Sequence, residues 1–176
     1  MTGHEKKIHL IQGECKVAKG DHTVLSTILG SCVAACMRDP VARIGGMNHF
    51  LLPGRSDSQE GMQYGAFLME VLINELLKAG ARRDRLEAKL FGGARMLQGL
   101  TDIGRQNGVF ARTFLEAEGI PFLGGSLGGD AARRVLFWPA TGVARQQLLV
   151  NQTDPFVQEA APPPPAAGGD LELFAA

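Results

Sequence analysis

The reading of the fold turns on Ser26–Gly54, STILGSCVAACMRDPVARIGGMNHFLLPG. Its centre, VAACMRD (Val33–Asp39), is a short apolar run between two turn signals, Gly30-Ser31 before it and Asp39-Pro40 after it. Runs of this length bounded by turn residues read as strands. HTVLSTIL (His22–Leu29) is rich in β-branched residues and reads as the strand before it. ARIGGMNHFLL (Ala42–Leu52) reads as the strand after it, bent at Gly45-Gly46 and stopped by Pro53. If the strands flanking Asp39-Pro40 pair antiparallel, Cys32 and His49 fall near one end of the hairpin. Cys32 lies seven residues before Asp39 and His49 nine after Pro40. The turn and a Gly-Gly bulge would absorb the mismatch.

Working outward, residues 1–7 read as a frayed start and IHLIQGECKVAKG (Ile8–Gly20) as one short strand punctuated by Gly13 and Gly20. Downstream, YGAFLMEVLINELLKAGA (Tyr64–Ala81) has helical periodicity. Phe67, Val71 and Leu72 are its apolar positions, Glu70, Asn74, Glu75 and Lys78 its polar ones, and Gly80 a C′ stop. RLEAKLFGG (Arg85–Gly93) returns to strand. TDIGRQNGVFARTFLEAEG (Thr101–Gly119) is a second helix with Phe110, Phe114 and Leu115 inward. IPFLGGSLGG, RRVLFWP and GVARQQLLV read as three further strands separated by Gly and Pro turns. The pattern predicts an α+β fold of layered, sandwich-like β-sheets flanked by helices. Residues 1–150 are expected to form the domain. Residues 151–176, which include APPPPAAGGD, are expected to form a Pro/Gly-rich tail. Its terminal LELF reads as a sticky end, or as a docking peptide for a partner or a neighbouring copy.

Composition narrows the function. The 176 residues carry 18 Lys and Arg against 18 Asp and Glu, a formal net charge of +0. General binding to nucleic acid or an anionic membrane surface needs a positive field, which is absent here. The densest basic cluster, Arg82, Arg83 and Arg85, is interrupted by Asp84 and reads as a solvated loop. The first residues lack an apolar signal core, and no run approaches the ~18 apolar residues of a membrane span. Three cysteines make no paired framework, so the expectation is a cytoplasmic protein with reduced thiols.

Cys32 directly follows Leu29-Gly30-Ser31. A cysteine becomes useful as a nucleophile when its thiolate is favoured, and oriented backbone N–H groups can do that. Gly30 permits a sharp turn, and successive N–H groups there would form a small anion-binding nest able to hold the oxyanion of an attacked carbonyl. His49 would serve as the base if folding brings its imidazole within ~3 Å. The competing reading is that Cys32 is a small buried apolar residue. Cys15 and Cys36 are assigned to packing, and His4, His9 and His22 to exposed or structural positions. A metal site on Cys32, Cys36 and His49 is disfavoured, because strand residues four apart are ~13 Å apart. Gly92-Gly93 and Gly124-Gly125 are not followed by the Gly-Lys-Ser/Thr of a phosphate loop, and read as tight turns or points of close backbone approach. No cofactor is called for.

LGSCVAACMRDP, GGMNHFLLP, KLFGGARM, IGRQN and GIPFLGGSLGGDAARRVLFWPATGVA, in that order over residues 8–150, resemble the successive motifs of the CheD family. These are the chemoreceptor glutamine deamidases of bacterial and archaeal chemotaxis. The resemblance implies a cysteine deamidase-like fold. It also implies hydrolysis of glutamine side-chain amides on methyl-accepting chemotaxis receptors, giving glutamate and ammonia. By motif the family's cysteine falls on Cys32 and its histidine on His49. The family's third residue is a threonine-type hydroxyl in the strand before the Gly-Ser-Cys turn. Ser26, six positions before Cys32, is the preferred match, with serine replacing threonine, and Thr27 is the alternative. An open groove and a second partner, a CheC-type phosphatase, are implied as well. Two other readings compete. One is a non-catalytic regulator that binds receptor or phosphatase. The other is a thiol hydrolase of another kind, such as a protease or acyltransferase.

Overall fold

β4 (Val33–Asp39) is apolar over VAACM because both of its faces are covered. Val33, Ala35 and Met37 face one core, while Ala34 and Cys36 face another. The computed structural model describes residues 3–53, 58–96, 102–150 and 171–174. Around β4 lie β1 (Lys6–His9), β2 (Cys15–Lys19), β3 (Thr23–Leu29), β5 (Ile44–Asn48), α1 (Gln59–Lys78) and β6 (Glu87–Gly92). They are followed by α2 (Ile103–Ala117), β7 (Phe122–Leu127), β8 (Ala132–Phe137), β9 (Ala144–Leu149) and β10 (Leu171–Phe174). The strands form two five-stranded sheets, ordered β1-β3-β8-β9-β10 and β2-β5-β4-β6-β7. One core lies between the sheets, where Leu25, Leu29, Val135 and Phe137 meet Ala34, Cys36, Met47 and Phe91. The other lies between the second sheet and the two helices. This is the expected α+β fold, two sheets in layers with helices on one side.

The hairpin expected at Asp39-Pro40 is present. β4 and β5 pair antiparallel with Asp39 opposite Ile44 and Cys36 opposite Met47. The offset is not absorbed as expected: the four-residue loop Pro40–Arg43 shifts the register beyond the mismatch, so that His49 falls two positions short of the residue opposite Cys32, and the Gly45-Gly46 bulge is not formed. The Asp39 carboxylate shapes that loop by accepting from the N–H groups of Val41 (2.9 Å) and Ala42 (3.0 Å). Gly45 and Gly46 are regular strand residues. Gly46 serves close approach instead. A Cβ there would lie 2.7 Å from the Lys16 carbonyl and 2.9 Å from Leu72 Cδ1, so its absence lets α1 settle on the sheet.

Both helices are present where periodicity places them, although α1 begins five residues before the expected Tyr64. Ser58 caps α1 by accepting from the Gly61 N–H at 3.0 Å, and Gly80 follows the helix with φ +114. The buried stripe of α1 is Leu68, Met69, Leu72, Ile73 and Leu76, while Phe67 is largely exposed. On α2, Phe114 and Leu115 are buried and Phe110 is half-buried, stacked edge-on against Phe50. Residues 8–20 hold two strands rather than one, because the Ile11–Glu14 turn sends β1 and β2 into different sheets. The frayed start is shorter than expected, since Lys6 and Lys7 already pair with β3. At the other end, Leu171–Phe174 pairs antiparallel with β9 in the chain's own sheet. Phe174 stacks edge-on against Phe91, its carbonyl accepting from Lys89 Nζ at 3.1 Å. The Pro-rich part of the expected tail, 151–170, lies outside the described residues.

Candidate active site

The register of the hairpin determines what stands beside what. Val33 exchanges two backbone hydrogen bonds with Phe50 (3.0 and 2.9 Å), which continues the β4–β5 ladder past Asn48. In that register Ala34 is opposite His49, and Cys32 is opposite Leu51. Side chains alternate along strands, so Cys32, Ala34 and Cys36 share one face with Met47, His49 and Leu51. Cys32 and His49 are therefore diagonal neighbours on the face turned to the other sheet, a relation that keeps long side chains within reach.

The facing sheet supplies a hydroxyl. Along β3, Leu25 and Leu29 pack into the core between the sheets, and Thr27 shares their parity. Thr27 Oγ1 lies 2.7 Å from His49 Nδ1 and donates to the Leu10 carbonyl at 2.8 Å. Its single proton is thus committed to Leu10, so toward His49 it can only accept. Nδ1 must then carry the ring proton, and Nε2 holds the lone pair. That Nε2 is buried and makes no hydrogen bond. Burial, with a smaller contribution from His9 and against the pull of Glu14, brings the His49 pKa down to about 4. At neutral pH the ring is an unprotonated base. The preference for Ser26 as the partner hydroxyl is corrected here. Ser26 alternates to the opposite face of β3, and Thr27 is the residue on the imidazole.

The turn carrying Cys32 is held by its carbonyls. The Gly30 oxygen accepts from the Ala94 N–H at 3.0 Å, the Ser31 oxygen from Asn107 Nδ2 at 2.8 Å, and the Cys32 oxygen from the Gly93 N–H at 2.8 Å. Gly92 has to be glycine for this grip: its φ is +105, and a Cβ would lie 2.2 Å from the Cys32 carbonyl oxygen. In trans peptides the N–H points away from the preceding carbonyl. Anchoring the Gly30 and Ser31 oxygens therefore also sets the directions of the Ser31 and Cys32 N–H groups.

Cys32 is 8 % exposed, and Gln12 roofs it, with Cys32 Sγ donating to Gln12 Oε1 at 3.8 Å. Gln12 stands on a loop tied to the same residues: Gly13 N–H donates to the His49 carbonyl (2.7 Å), and His49 N–H to the Glu14 carbonyl (3.1 Å). The sulfur is thus largely buried beside the Gln12 carboxamide. The other two thiols are held protonated. Burial, then Glu75, raises the Cys15 pKa to about 11, and burial pushes Cys36 up as well. Among the described residues no cluster of His, Cys, Asp and Glu is arranged to hold a metal ion, and no helix is long and apolar enough to cross a membrane.

The structure thus sets Thr27 on His49 and puts Cys32, beside the Gly30-Ser31 turn, on the same sheet face as that imidazole, and Ser26 does not share this face. Gln12 and Asn107 were not identified from sequence. They sit 20 and 75 positions from Cys32, and nothing local marks a contact of that range.

A thiol on a fixed turn, beside a buried base whose tautomer is set by a hydroxyl, is an arrangement suited to thiol-dependent acyl chemistry. A family model described as "CheD chemotactic sensory transduction" matches residues 51–147. The chain is 52% identical over 179 residues to "Probable chemoreceptor glutamine deamidase CheD" of Caulobacter sp. (strain K31), covering 98% of this chain and 95% of that protein. It is 51% identical over 180 residues to the protein of the same name from Agrobacterium fabrum, covering 99% of each. Among solved structures it is similar to Neisseria meningitidis protein NMB0706, described as family-model DUF152. That likeness has a TM-score of 0.48 and 9% identity, over 72% of this chain and 64% of the other. The chain belongs to the CheD family.

Proposed function

We propose that this protein is a chemoreceptor glutamine deamidase, a protein-glutamine glutaminase with Cys32 as nucleophile. The relatives' names supply the substrate class. The chemistry rests on one observation: the Leu10 carbonyl–Thr27–His49 chain leaves a buried Nε2 lone pair on the sheet face that also carries Cys32. His49 Nε2 takes the thiol proton as Sγ adds to the glutamine Cδ, and the carbonyl becomes an oxyanion held by the Ser31 and Cys32 N–H groups. The tetrahedral species collapses and expels ammonia, with the proton returned from His49, and a thioester remains on Cys32. Nε2 then draws a proton from water as the water adds to the thioester carbon. Collapse of that adduct returns the proton to sulfur and releases glutamate. Thr27 keeps the imidazole in the useful tautomer throughout.

The substrates in this reading are methyl-accepting receptors on their cytoplasmic side, with a CheC-type phosphatase as a second partner. The deamidase unit in this reading spans residues 1–150 together with the edge strand β10 (Leu171–Phe174), which pairs with β9. The test is intact-mass analysis of a receptor cytoplasmic fragment after incubation with the protein. The wild type should give stepwise mass gains equal to replacing –NH2 with –OH, with matching ammonia release, and Cys32→Ala should give neither. Cleaved fragments would identify a protease instead. Binding without ammonia release would leave a non-catalytic regulator.

A further inference from the structure

The carboxamide of Asn107 joins the two halves of the site. Asn107 is fully buried, on the second turn of α2. Its Nδ2 donates to the Ser31 carbonyl at 2.8 Å, and its Oδ1 accepts from the Leu52 N–H at 3.2 Å. Ser31 immediately precedes Cys32, and Leu52 lies three residues after His49. Gly104, one turn earlier, makes that reach possible. A Cβ there would lie 2.2 Å from the Ala94 carbonyl, so the glycine lets α2 press against the Gly93-Ala94 turn that grips Gly30 and Cys32.

We infer that Asn107 is a positioning residue for the oxyanion-binding turn, acting by fixing the plane of the Ser31–Cys32 peptide; this rests on the deamidase reading above. The peptide is trans, so holding its oxygen toward α2 aims the Cys32 N–H away from α2. Among the described residues, Asn107 is the side chain that combines a donor for Ser31 with an acceptor for Leu52. Aspartate keeps the shape and the acceptor but sets a carboxylate oxygen against the Ser31 carbonyl, so the plane loses its anchor. The nucleophile and base are untouched by that change.

The test compares wild type, Cys32→Ala, Asn107→Asp and Asn107→Ala as full-length chains, in two reactions. Deamidation of a receptor fragment passes through an oxyanion. Alkylation of Cys32 by iodoacetamide, followed by peptide mass mapping, displaces iodide at a saturated carbon and needs no oxyanion donor. Asn107→Asp should lower kcat by about 100-fold, the scale of a lost oxyanion donor, with KM changed less than about threefold. Its Cys32 alkylation rate should stay within about threefold of wild type. Asn107→Ala carries the same test if the aspartate variant does not fold. Unchanged kcat, or an alkylation rate that falls in step with kcat, overturns the inference and leaves the deamidase reading standing. A wild type that releases no ammonia overturns that reading, and the inference with it.

Discussion

The two ends of the β4–β5 hairpin each bury a titratable group, and they treat it in opposite ways. At the loop end, Asp39 is fully buried with its oxygens filled. Oδ1 accepts from the Val41 and Ala42 N–H groups, while Oδ2 accepts from the Arg82 N–H (2.8 Å) and from Arg85 Nε (2.9 Å). At the open end, His49 is buried with one nitrogen satisfied by Thr27 and the other left without a bond. Burial alone would raise the Asp39 pKa, but the N–H donors of Ala42 and Arg82, the Arg85 guanidinium and the Val41 N–H outweigh it and bring it to about 2. For His49 nothing outweighs burial, and its pKa falls to about 4. A saturated buried charge is a structural device. A buried base with a vacant lone pair costs stability and is retained where chemistry uses it.

The largest expected effect is at the saturated end. Asp39→Ala removes the acceptor for three backbone N–H groups and for Arg85, stranding donors that the loop turns inward. We expect a loss of about 4 kcal/mol in unfolding free energy, the scale of breaking a buried ionic network from one side. Denaturant titration by circular dichroism measures it. A loss below about 1 kcal/mol would mean the loop finds other acceptors, and the contrast between the two ends would weaken.

Next in size is the pH dependence, which separates the ends. The folded pKa of His49 is below its unfolded 6.5, so the unfolded chain binds the extra proton. Its contribution is complete above pH 6.5 and is lost as pH falls toward 4. At about 1.4 kcal/mol per pKa unit this is on the order of 3 kcal/mol. Asp39, also depressed, contributes fully above 3.8 and loses that contribution as pH falls toward 2. Unfolding free energy should therefore drop with acid through the histidine's window first. Substituting His49 with Gln should flatten the curve between pH 6.5 and 4 while leaving the lower limb. A curve that stays steep in that window in the Gln variant would place the titration elsewhere.

How legible this was in the sequence depended on the range of each contact. The apolar VAACM run between two turn signals places β4 at Val33–Asp39, and periodicity places both helices, with α1 starting five residues before Tyr64. Cys32 and His49 came together in prediction because a hairpin is a local object. Failures began where a second partner decided. The Gly45-Gly46 pair reads as a bend, yet both residues pair regularly with β4, and Gly46 leaves room for Leu72 of α1. Phe67 read as an apolar position of α1, yet it lies outside the stripe that meets the sheet. Residues 8–20 read as one strand because the turn between β1 and β2 moves the chain from one sheet to the other, which no local pattern states. Gln12 and Asn107 reach the site from distant elements and left no trace nearby.

The choice between Ser26 and Thr27 was different in kind, because a local signal was present. With a period of two, Thr27 shares a face with Leu25 and Leu29, which are the apolar, core-facing residues of β3, and Ser26 does not. The family pattern counted back from Cys32 favours Ser26, whereas the parity of β3 favours Thr27. The pair supplies the smallest and sharpest of the expected effects. Thr27→Val keeps the shape and removes the oxygen, so Nδ1–H loses its acceptor and the ring is free to adopt the other tautomer. A deamidation rate lower by about 10- to 100-fold follows, the kinetic equivalent of one or two hydrogen-bond energies near a buried ring. Thr27→Ser restores the hydroxyl and should recover most of the rate, which a purely steric role for Thr27 would not require. Ser26→Ala should stay within about threefold of wild type. The reverse order, with Ser26→Ala the damaging change, would mean that the resting hydrogen bond from Thr27 is not the one that orients His49 during the reaction.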